Sequence, residues 1–263
     1  MRAGLSGLRG VQSLWAVGGI ATGNKLQCFV LTFLPNKPII MSEIIENLKH
    51  VKQRIQQAAG SGDSVDLLAV SKKHAADKIR LVAQAGQQHF GENYAQEAID
   101  KMAELADLAL VWHFIGPIQS NKTKLIAGHF DWVQSVDRMK ILKRLELQRP
   151  EEMAPLNVLL QIKIGDEDSK QGAPLDEIEA MADWLSHAEK LTLRGLMCIP
   201  PPSDDAAIQR AYFDETKRAF DRLRKIYSGI DTLSMGMSND LEAAIAAGAS
   251  MVRIGTDIFG QRD

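Results

Sequence analysis

Short apolar runs alternate with amphipathic segments along most of the chain. Eight of these runs have the length and composition of buried parallel strands, and they lie at residues 66–71, 88–91, 111–115, 131–136, 157–163, 192–197, 231–235 and 251–254. Between them, apolar residues recur at helical spacing, and several of these stretches end at a glycine. A further amphipathic helix is predicted over 43–59, with Ser42 in its N-cap position.

Eight strands alternating with helices predict a single (β/α)₈ barrel of the TIM type, with an extra N-terminal helix. A doubly wound open sheet is the alternative. Closure is favoured because only residues 256–263 follow the last strand, too few for a full outer helix. The helix over 43–59 could instead cover the seam where strands eight and one meet.

Charge divides the chain near residue 40. Residues 1–40 contain four basic residues and no acidic one, whereas residues 41–263 contain 27 basic and 33 acidic residues, a net charge of −6. An acid-free leader that carries arginine fits an organellar transit peptide, a weak signal peptide or an over-extended start before Met41. We favour the over-extended start. The expected organisation is a leader over 1–40 that does not join the core, and a barrel over 41–263.

Composition excludes several classes of protein. A chain that is 45% hydrophobic and 24% charged is an ordinary globular protein, and its net charge of −2 gives no basic field for nucleic acid. No run reaches the roughly 18 apolar residues that a membrane span needs. Cys28 and Cys198 lack metal-ligand or disulfide spacing, and the histidines show no ligand spacing either. We therefore expect no nucleic-acid partner, no membrane span and no metal site.

Candidate phosphate ligands follow the last two predicted strands. Barrel enzymes place function at the carboxyl ends of their strands, and phosphate often binds after strands seven and eight. Gly236 and Ser238 follow strand seven, and Gly255 and Thr256 follow strand eight. Taken singly, each is explained as a turn or a helix cap; together, at these two positions, they predict an anion site.

A lysine ends the first predicted strand. A desolvated lysine has a lowered pKa and can form a Schiff base, so Lys72 is a candidate, although a solvated Lys72–Lys73 pair is the simpler interpretation of the dipeptide alone. Because side chains alternate along a strand, only one of the two can point into the barrel, and periodicity does not say which. The ligand is then a sugar phosphate held as an imine or pyridoxal 5′-phosphate (PLP). Arg253 could face the pyridine nitrogen of PLP, or pair with a barrel carboxylate.

Three other polar residues have open interpretations. His113 lies mid-strand, and we expect it to pack between helix and sheet; the alternative is that His113 and Asn121 line the mouth of strand three. Glu92 fits a residue that supports the site or a plain surface acid.

Six segments, in order, carry a family resemblance. They are LAVSK at 68–72, FGENY at 90–94, WHFIGPIQSNK at 112–122, RGLM at 194–197, SMGMSND at 234–240 and VRIGT at 252–256. They resemble the YggS/PROSC family of PLP homeostasis proteins over essentially all of 41–263. The resemblance implies a barrel like the N-terminal domain of alanine racemase. It also implies PLP on Lys72 as a Schiff base, Asn93 close to the cofactor, Arg253 facing the pyridine nitrogen, and phosphate held by Ser238, Gly255 and Thr256. The family usually has threonine where this chain has Lys73.

The resemblance favours a carrier over an enzyme. Alanine racemase takes a second acid–base group from an added domain and a partner subunit, and we expect that domain to be absent after Asp263. The expected function is storage, delivery or buffering of PLP by a cytoplasmic monomer, with PLP-dependent apoenzymes as partners and indirect effects on amino-acid and keto-acid metabolism. The alternatives are a PLP-dependent amino-acid racemase, a Schiff-base aldolase acting on a sugar phosphate, and a protein-binding module.

Overall fold

The computed structural model describes residues 37–60, 64–165, 171–203 and 205–261, with side chains from Glu43 onward. Its parallel strands are β1 (Asp66–Val70), β2 (His89–Glu92), β3 (Val111–Phe114), β4 (Trp132–Val136), β5 (Leu156–Gln161), β6 (Leu191–Met197), β7 (Thr232–Ser234) and β8 (Met251–Ile254). Each predicted strand coincides with one of these to within two residues at either end.

The helices alternate with these strands, as predicted. They are α1 (Lys37–Ala59), α2 (Ala76–Gln84), α3 (Ala95–Glu104), α4 (Thr123–His129), α5 (Met139–Gln148), α6 (Leu175–Leu185), α7 (Ala206–Ile226), α8 (Leu241–Ala246) and α9 (Thr256–Phe259). A turn of 3₁₀ helix over Ser120–Lys122 precedes α4.

The sheet closes into a barrel in the order β1 to β8. Closure is made by β1 and β8, which pair in parallel from Asp66 with Met251 to Ala69 with Ile254. The barrel prediction is therefore confirmed, and the open sheet is wrong. Outside this seam, α1 packs against α2, α8 and α9. Among the described residues, the four-residue α9 follows β8, and α1 packs against it and covers this part of the barrel.

The start of α1 differs from the prediction. The helix begins at Lys37, so Ser42 lies inside it and is not the N-cap. Pro38 falls in the first turn, where a helix leaves its N–H groups without intrahelical partners, so proline does not interrupt the helix there. The predicted leader over 1–40 therefore overlaps α1 at residues 37–40, and the rest of it lies outside the described residues.

Side chains that cross the barrel identify its interior. Gln134 on β4 donates a hydrogen bond to the sulfur of Met251 on β8 at 3.3 Å, and Ser234 on β7 donates to Gln134 Oε1 at 2.8 Å. These strands lie on opposite sides of the closed sheet, so the contacts run through the lumen. The barrel is thus filled by side chains, and several of them are polar.

Strand register then assigns the two faces of β1. Leu68 is in register with Arg253, which reaches Ser234 in the lumen. Side chains alternate along a strand, so Leu68 and Val70 face the lumen, whereas Ala69 and Ser71 face the helices. Ala69 belongs to the main hydrophobic core between helices and sheet, in agreement with this assignment.

Candidate functional site

Lys72 lies at the carboxyl-terminal mouth of the barrel. The β-ladder continues past β1 to Ser71, whose N–H donates to Gly91 O at 3.0 Å. Lys72 then lies in the turn that His74 N closes on Ser71 O. If the alternation of β1 continues by one residue, Lys72 follows Leu68 and Val70, and we therefore expect its side chain on the lumen side of the mouth. Its side chain is partly buried.

Lys73 has a different environment. Its φ is +64°, a left-handed conformation that is rare for residues other than glycine, and its side chain is exposed. The chain turns at this residue and leads into α2. Of the two adjacent lysines, Lys72 is the more buried, and it is the one that we expect on the lumen side of the mouth.

Asn93 lies at the same mouth, directly after β2. Its Oδ1 is buried and has no hydrogen-bond partner among the described residues. The loop after β3 presses against it, since a β-carbon on Gly116 would lie 2.3 Å from Asn93 O. A buried amide oxygen without a partner is costly, which is the state expected of a residue that a ligand completes.

Glycines bring the last two loops close to the barrel. A β-carbon on Gly255 would lie 3.0 Å from Val70 O, and one on Gly236 would lie 2.6 Å from the β-carbon of Ala244. Gly236 also has a φ of +95°, which favours glycine. The loops after β7 and β8 therefore approach their neighbours more closely than other residues allow.

Arg54 of α1 ties these two loops together. It donates to Ser238 O at 3.0 Å, and it forms ion pairs with Glu242 at 2.9 Å and with Asp257 at 2.8 Å. Ser238 follows β7, and Asp257 stands next to Thr256 in α9. The candidate phosphate ligands Ser238 and Thr256 are thus placed on segments that share one arginine, a contact that sequence reasoning missed.

One detail at Ser238 corrects the sequence analysis. Helix α8 begins at Leu241, and Asp240 occupies its N-cap position, so Ser238 is not a helix cap. Asp240 instead accepts a hydrogen bond from the N–H of Met237. Ser238 is partly buried and Thr256 is exposed. Both hydroxyl groups therefore lie near the rim of the mouth.

Arg253 is buried in the lumen below this rim. Its guanidinium donates to Ser234 Oγ and to Cys198 O, both at 2.8 Å, and both acceptors are neutral. A salt bridge to a barrel carboxylate, the alternative interpretation, is not among the ion pairs of the described residues. Burial lowers the pKa of the guanidinium, which nevertheless stays protonated near neutral pH.

Hydrogen bonds continue from Arg253 across the lumen to the histidines. Ser234 donates to Gln134, and Gln134 Nε2 lies 2.9 Å from His113 Nδ1. An amide nitrogen only donates, so His113 Nδ1 accepts, and the hydrogen on His113 Nε2 points to His89 Nδ1 at 2.9 Å. Along this series from Arg253 to His89, each side chain therefore donates a hydrogen bond to the next one.

His113 is therefore not between helix and sheet, as predicted, but in the lumen, where it also stacks on Trp132. Burial, and secondarily the charge of His89, holds the pKa of His113 well below its ordinary value. Sequence reasoning missed Gln134, which contacts His113, and Ser234, which contacts Gln134. The available signal was Gln134, a polar residue in the middle of a strand that is otherwise predicted to be buried.

Glu92 and Asn121 complete the predicted set. Glu92 is fully buried on the helix-facing side of β2, where Lys101 pairs with it at 2.7 Å, so it is not a surface acid. Asn121 is exposed in the 3₁₀ turn after β3.

Two other findings concern the described residues alone. No helix there is both long and apolar enough to cross a bilayer. No group of three or more His, Cys, Asp or Glu side chains in the same ranges is placed to hold a metal ion.

Known proteins match the chain over the barrel. Residues 41–263 match the family model described as the alanine racemase N-terminal domain. A relative from Pseudomonas aeruginosa, named pyridoxal phosphate homeostasis protein, is 52% identical over an alignment of 231 residues that covers 85% of this chain and 97% of the relative. The chain belongs to the pyridoxal phosphate homeostasis protein family. The family expected from the six sequence segments is thereby confirmed.

Two further members of the pyridoxal phosphate homeostasis protein family extend the comparison. A relative from Escherichia coli strain K12 with the same name is 49% identical over 230 residues, covering 85% of this chain and 98% of the relative. The solved structure of PipY from Synechococcus elongatus PCC7942 with PLP bound is 38% identical and has a TM-score of 0.74. The match covers 82% of this chain and 100% of PipY.

Proposed function

We propose that this chain binds PLP as a Schiff base on Lys72 and acts in PLP homeostasis, by storing, delivering or buffering the cofactor. The observation that carries the proposal is the meeting of three features at one barrel mouth. Lys72 ends β1 and is expected to turn its amine to the lumen side, Asn93 Oδ1 is buried with no hydrogen-bond partner among the described residues, and the guanidinium of Arg253 lies in the lumen. The PLP bound in PipY, a structure of the same fold, supports the choice of ligand.

The residues present fit the parts of PLP. Lys72 supplies the amine, and Arg253 supplies an N–H donor for the pyridine nitrogen; because the guanidinium keeps its proton, that nitrogen stays unprotonated. Asn93 offers Oδ1 to a donor of the ligand. Hydroxyl and backbone N–H donors for the phosphate come from Ser238, Gly255 and Thr256. When bound, PLP supplies an electrophilic carbonyl carbon and a conjugated ring that accepts electrons.

We propose a carrier rather than an enzyme. A racemase needs a second acid–base group on the face of the substrate opposite the lysine. Three buried titratable groups do not offer it: Glu92 faces the helices, and His113 and His89 lie lower in the lumen. Turnover of L- and D-amino acids that is lost in Lys72→Ala would contradict this and favour a PLP-dependent racemase.

The proposal includes partners and location. We propose that PLP-dependent apoenzymes receive the cofactor, and that the chain acts as a cytoplasmic monomer. Transfer is measured by mixing the PLP-loaded protein with an inactive apoenzyme and following the return of that enzyme's activity. Recovery no faster than with the same concentration of free PLP would contradict delivery, although it would leave storage intact.

A visible absorption titration tests the ligand. Purified protein mixed with PLP is expected to gain the absorption band of lysine-bound PLP, and Lys72→Ala is expected to lose it. An exposed lysine on α5 provides the matched control, Lys140→Ala, which should keep the band. Protein that stays colourless with PLP would refute the proposal, and would revive a Schiff-base aldolase acting on a sugar phosphate.

A further inference from the structure

Three charged side chains on the helix-facing side of the sheet contact the residues on either side of Lys72, and two of them are buried. Lys101 of α3 is 6% exposed, and its ammonium lies 2.7 Å from Glu92 Oε1 and 2.6 Å from Glu97 Oε1. Glu92 is 0% exposed at the end of β2. We call these three residues the α3 anchor. None of them faces the lumen, so none has a part in the binding of PLP proposed above.

The α3 anchor bonds to both peptide groups that flank Lys72. Lys101 Nζ donates to Ser71 O at 3.0 Å, which is the carbonyl of the peptide bond before Lys72. Glu97 Oε1 accepts from Lys73 N at 2.6 Å, which is the N–H of the peptide bond after it. Both peptide planes at the α-carbon of Lys72 are therefore held by one turn of one helix.

A third contact fixes the residue that precedes Lys72. Ser71 Oγ donates to Glu92 Oε1 at 2.7 Å, so the side chain of Ser71 is held on the helix-facing side. Side chains alternate along a strand, so with Ser71 held on the helix-facing side the next side chain is expected on the lumen side. The contact thus acts on the orientation of Lys72 through the backbone.

The backbone conformation of Lys73 also depends on the α3 anchor. A lysine with φ near +64° lies in a sparsely populated region, and such a conformation persists only where contacts impose it. Glu97 supplies such a contact by accepting from the N–H of Lys73. The left-handed turn then leaves the Lys73 side chain exposed while Lys72 stays at the mouth.

The α3 anchor is a poor choice for stability alone. Removing the carboxylate of Glu92 and the ammonium of Lys101 from water costs free energy that their attraction only partly returns, and apolar side chains of similar volume are often as stable. Glu92 Oε2 also has no hydrogen-bond partner among the described residues. A role in placing the peptide groups around Lys72 accounts for charged rather than apolar residues here.

We propose that Glu97 and Lys101, together with Glu92, are positioning residues that select Lys72 over Lys73 as the amine that binds PLP. This inference rests on the proposed function, because it concerns the choice between two amines at the PLP site. The inference adds a physical cause for that choice. The cause is the α3 anchor on the helix-facing side of the sheet, and not a contact inside the PLP pocket.

The test measures which lysine carries PLP. Each protein is saturated with PLP and reduced with borohydride, and peptide mass spectrometry gives the ratio of pyridoxyl groups on Lys72 to those on Lys73. Glu97→Ala is expected to lower this ratio roughly tenfold, in line with the loss of a hydrogen bond to a charged acceptor. Glu97→Gln should restore most of it, because the amide oxygen still accepts from the Lys73 N–H.

The controls separate the possible outcomes. Asp100→Ala, at an exposed position of the same helix, should keep the wild-type ratio. If Glu97→Ala folds poorly by circular dichroism, Glu97→Asp keeps the charge but shortens its reach, and should also lower the ratio. A wild-type ratio in Glu97→Ala, or in folded Glu97→Asp, overturns this inference and leaves the proposed function standing. A wild-type protein with no adduct on Lys72 overturns the proposed function.

Discussion

Acid should destabilise this barrel in part through one histidine in its lumen. Burial holds the pKa of His113 well below its ordinary value of 6.5, so the folded protein keeps this ring neutral at mildly acidic pH. The unfolded chain exposes the ring and protonates it near pH 6.5. Between pH 6.5 and the lower folded-state pKa, the unfolded state binds more protons, and the free energy of unfolding falls as the pH falls.

The size of the effect follows from that difference. At pH 5.5, one unit below the ordinary pKa, protonation favours the unfolded chain by about 1.4 kcal/mol for a ring that stays neutral when folded. Above pH 7.5 the contribution vanishes. For a domain of this size, a loss of about 1.4 kcal/mol lowers the melting temperature by about 3–5 °C.

The perturbation that isolates this effect is His113→Gln. Glutamine does not titrate, and it keeps a hydrogen-bond donor for His89. It leaves Gln134 without its acceptor, so the variant is expected to be less stable at every pH. The informative quantity is therefore the difference in free energy of unfolding between pH 7.5 and pH 5.5, measured for each protein by denaturant titration.

The wild-type protein should lose about 1.4 kcal/mol more than His113→Gln over this interval. His129→Gln, at an exposed position on α4, is the matched control and should keep the wild-type pH dependence. Equal pH dependence in wild type and His113→Gln would refute the assignment of a neutral, buried His113.

Three other variants or reagents test the site. Arg54→Ala should lower the melting temperature by a few degrees and weaken PLP binding severalfold in an absorption titration, because Ser238 loses its tie to α1. Gly255→Ala should weaken PLP binding more than it lowers stability, since its β-carbon would lie 3.0 Å from a carbonyl oxygen of β1 at the mouth. Burial raises the pKa of the Cys198 thiol to about 11, so in a Cys28→Ser background the native protein should resist a thiol reagent at pH 8 and react only when unfolded.

The alternation of strands and helices was predictable because each strand of a parallel barrel is buried on both faces. Leu67–Val70 is apolar at every position, which makes the strand easy to find. The same property hides its orientation, because a continuous apolar run carries no alternation. The inward face of β1 became definite only through the pairing of Leu68 with Arg253, a partner 185 residues away in the sequence, and the expected orientation of Lys72 follows from it.

Contacts between distant elements account for most of what the sequence left open. A cap was expected at Ser42 and at Ser238 from the local pattern, but each helix begins elsewhere because tertiary packing decides where a helix ends. His113 was misplaced for a related reason: a polar residue in a buried strand fits the lumen only if other polar side chains meet it there. The α3 anchor was equally invisible, since no spacing rule joins Lys101 to Ser71.

Mapping the borohydride-reduced adduct tests the central claim most directly. The wild-type protein is loaded with PLP, reduced and digested, and the position of the pyridoxyl group is read by tandem mass spectrometry. The account predicts one dominant adduct on Lys72, absent from Lys72→Ala. A dominant adduct on Lys73, or none on either residue after saturation with PLP, would contradict it.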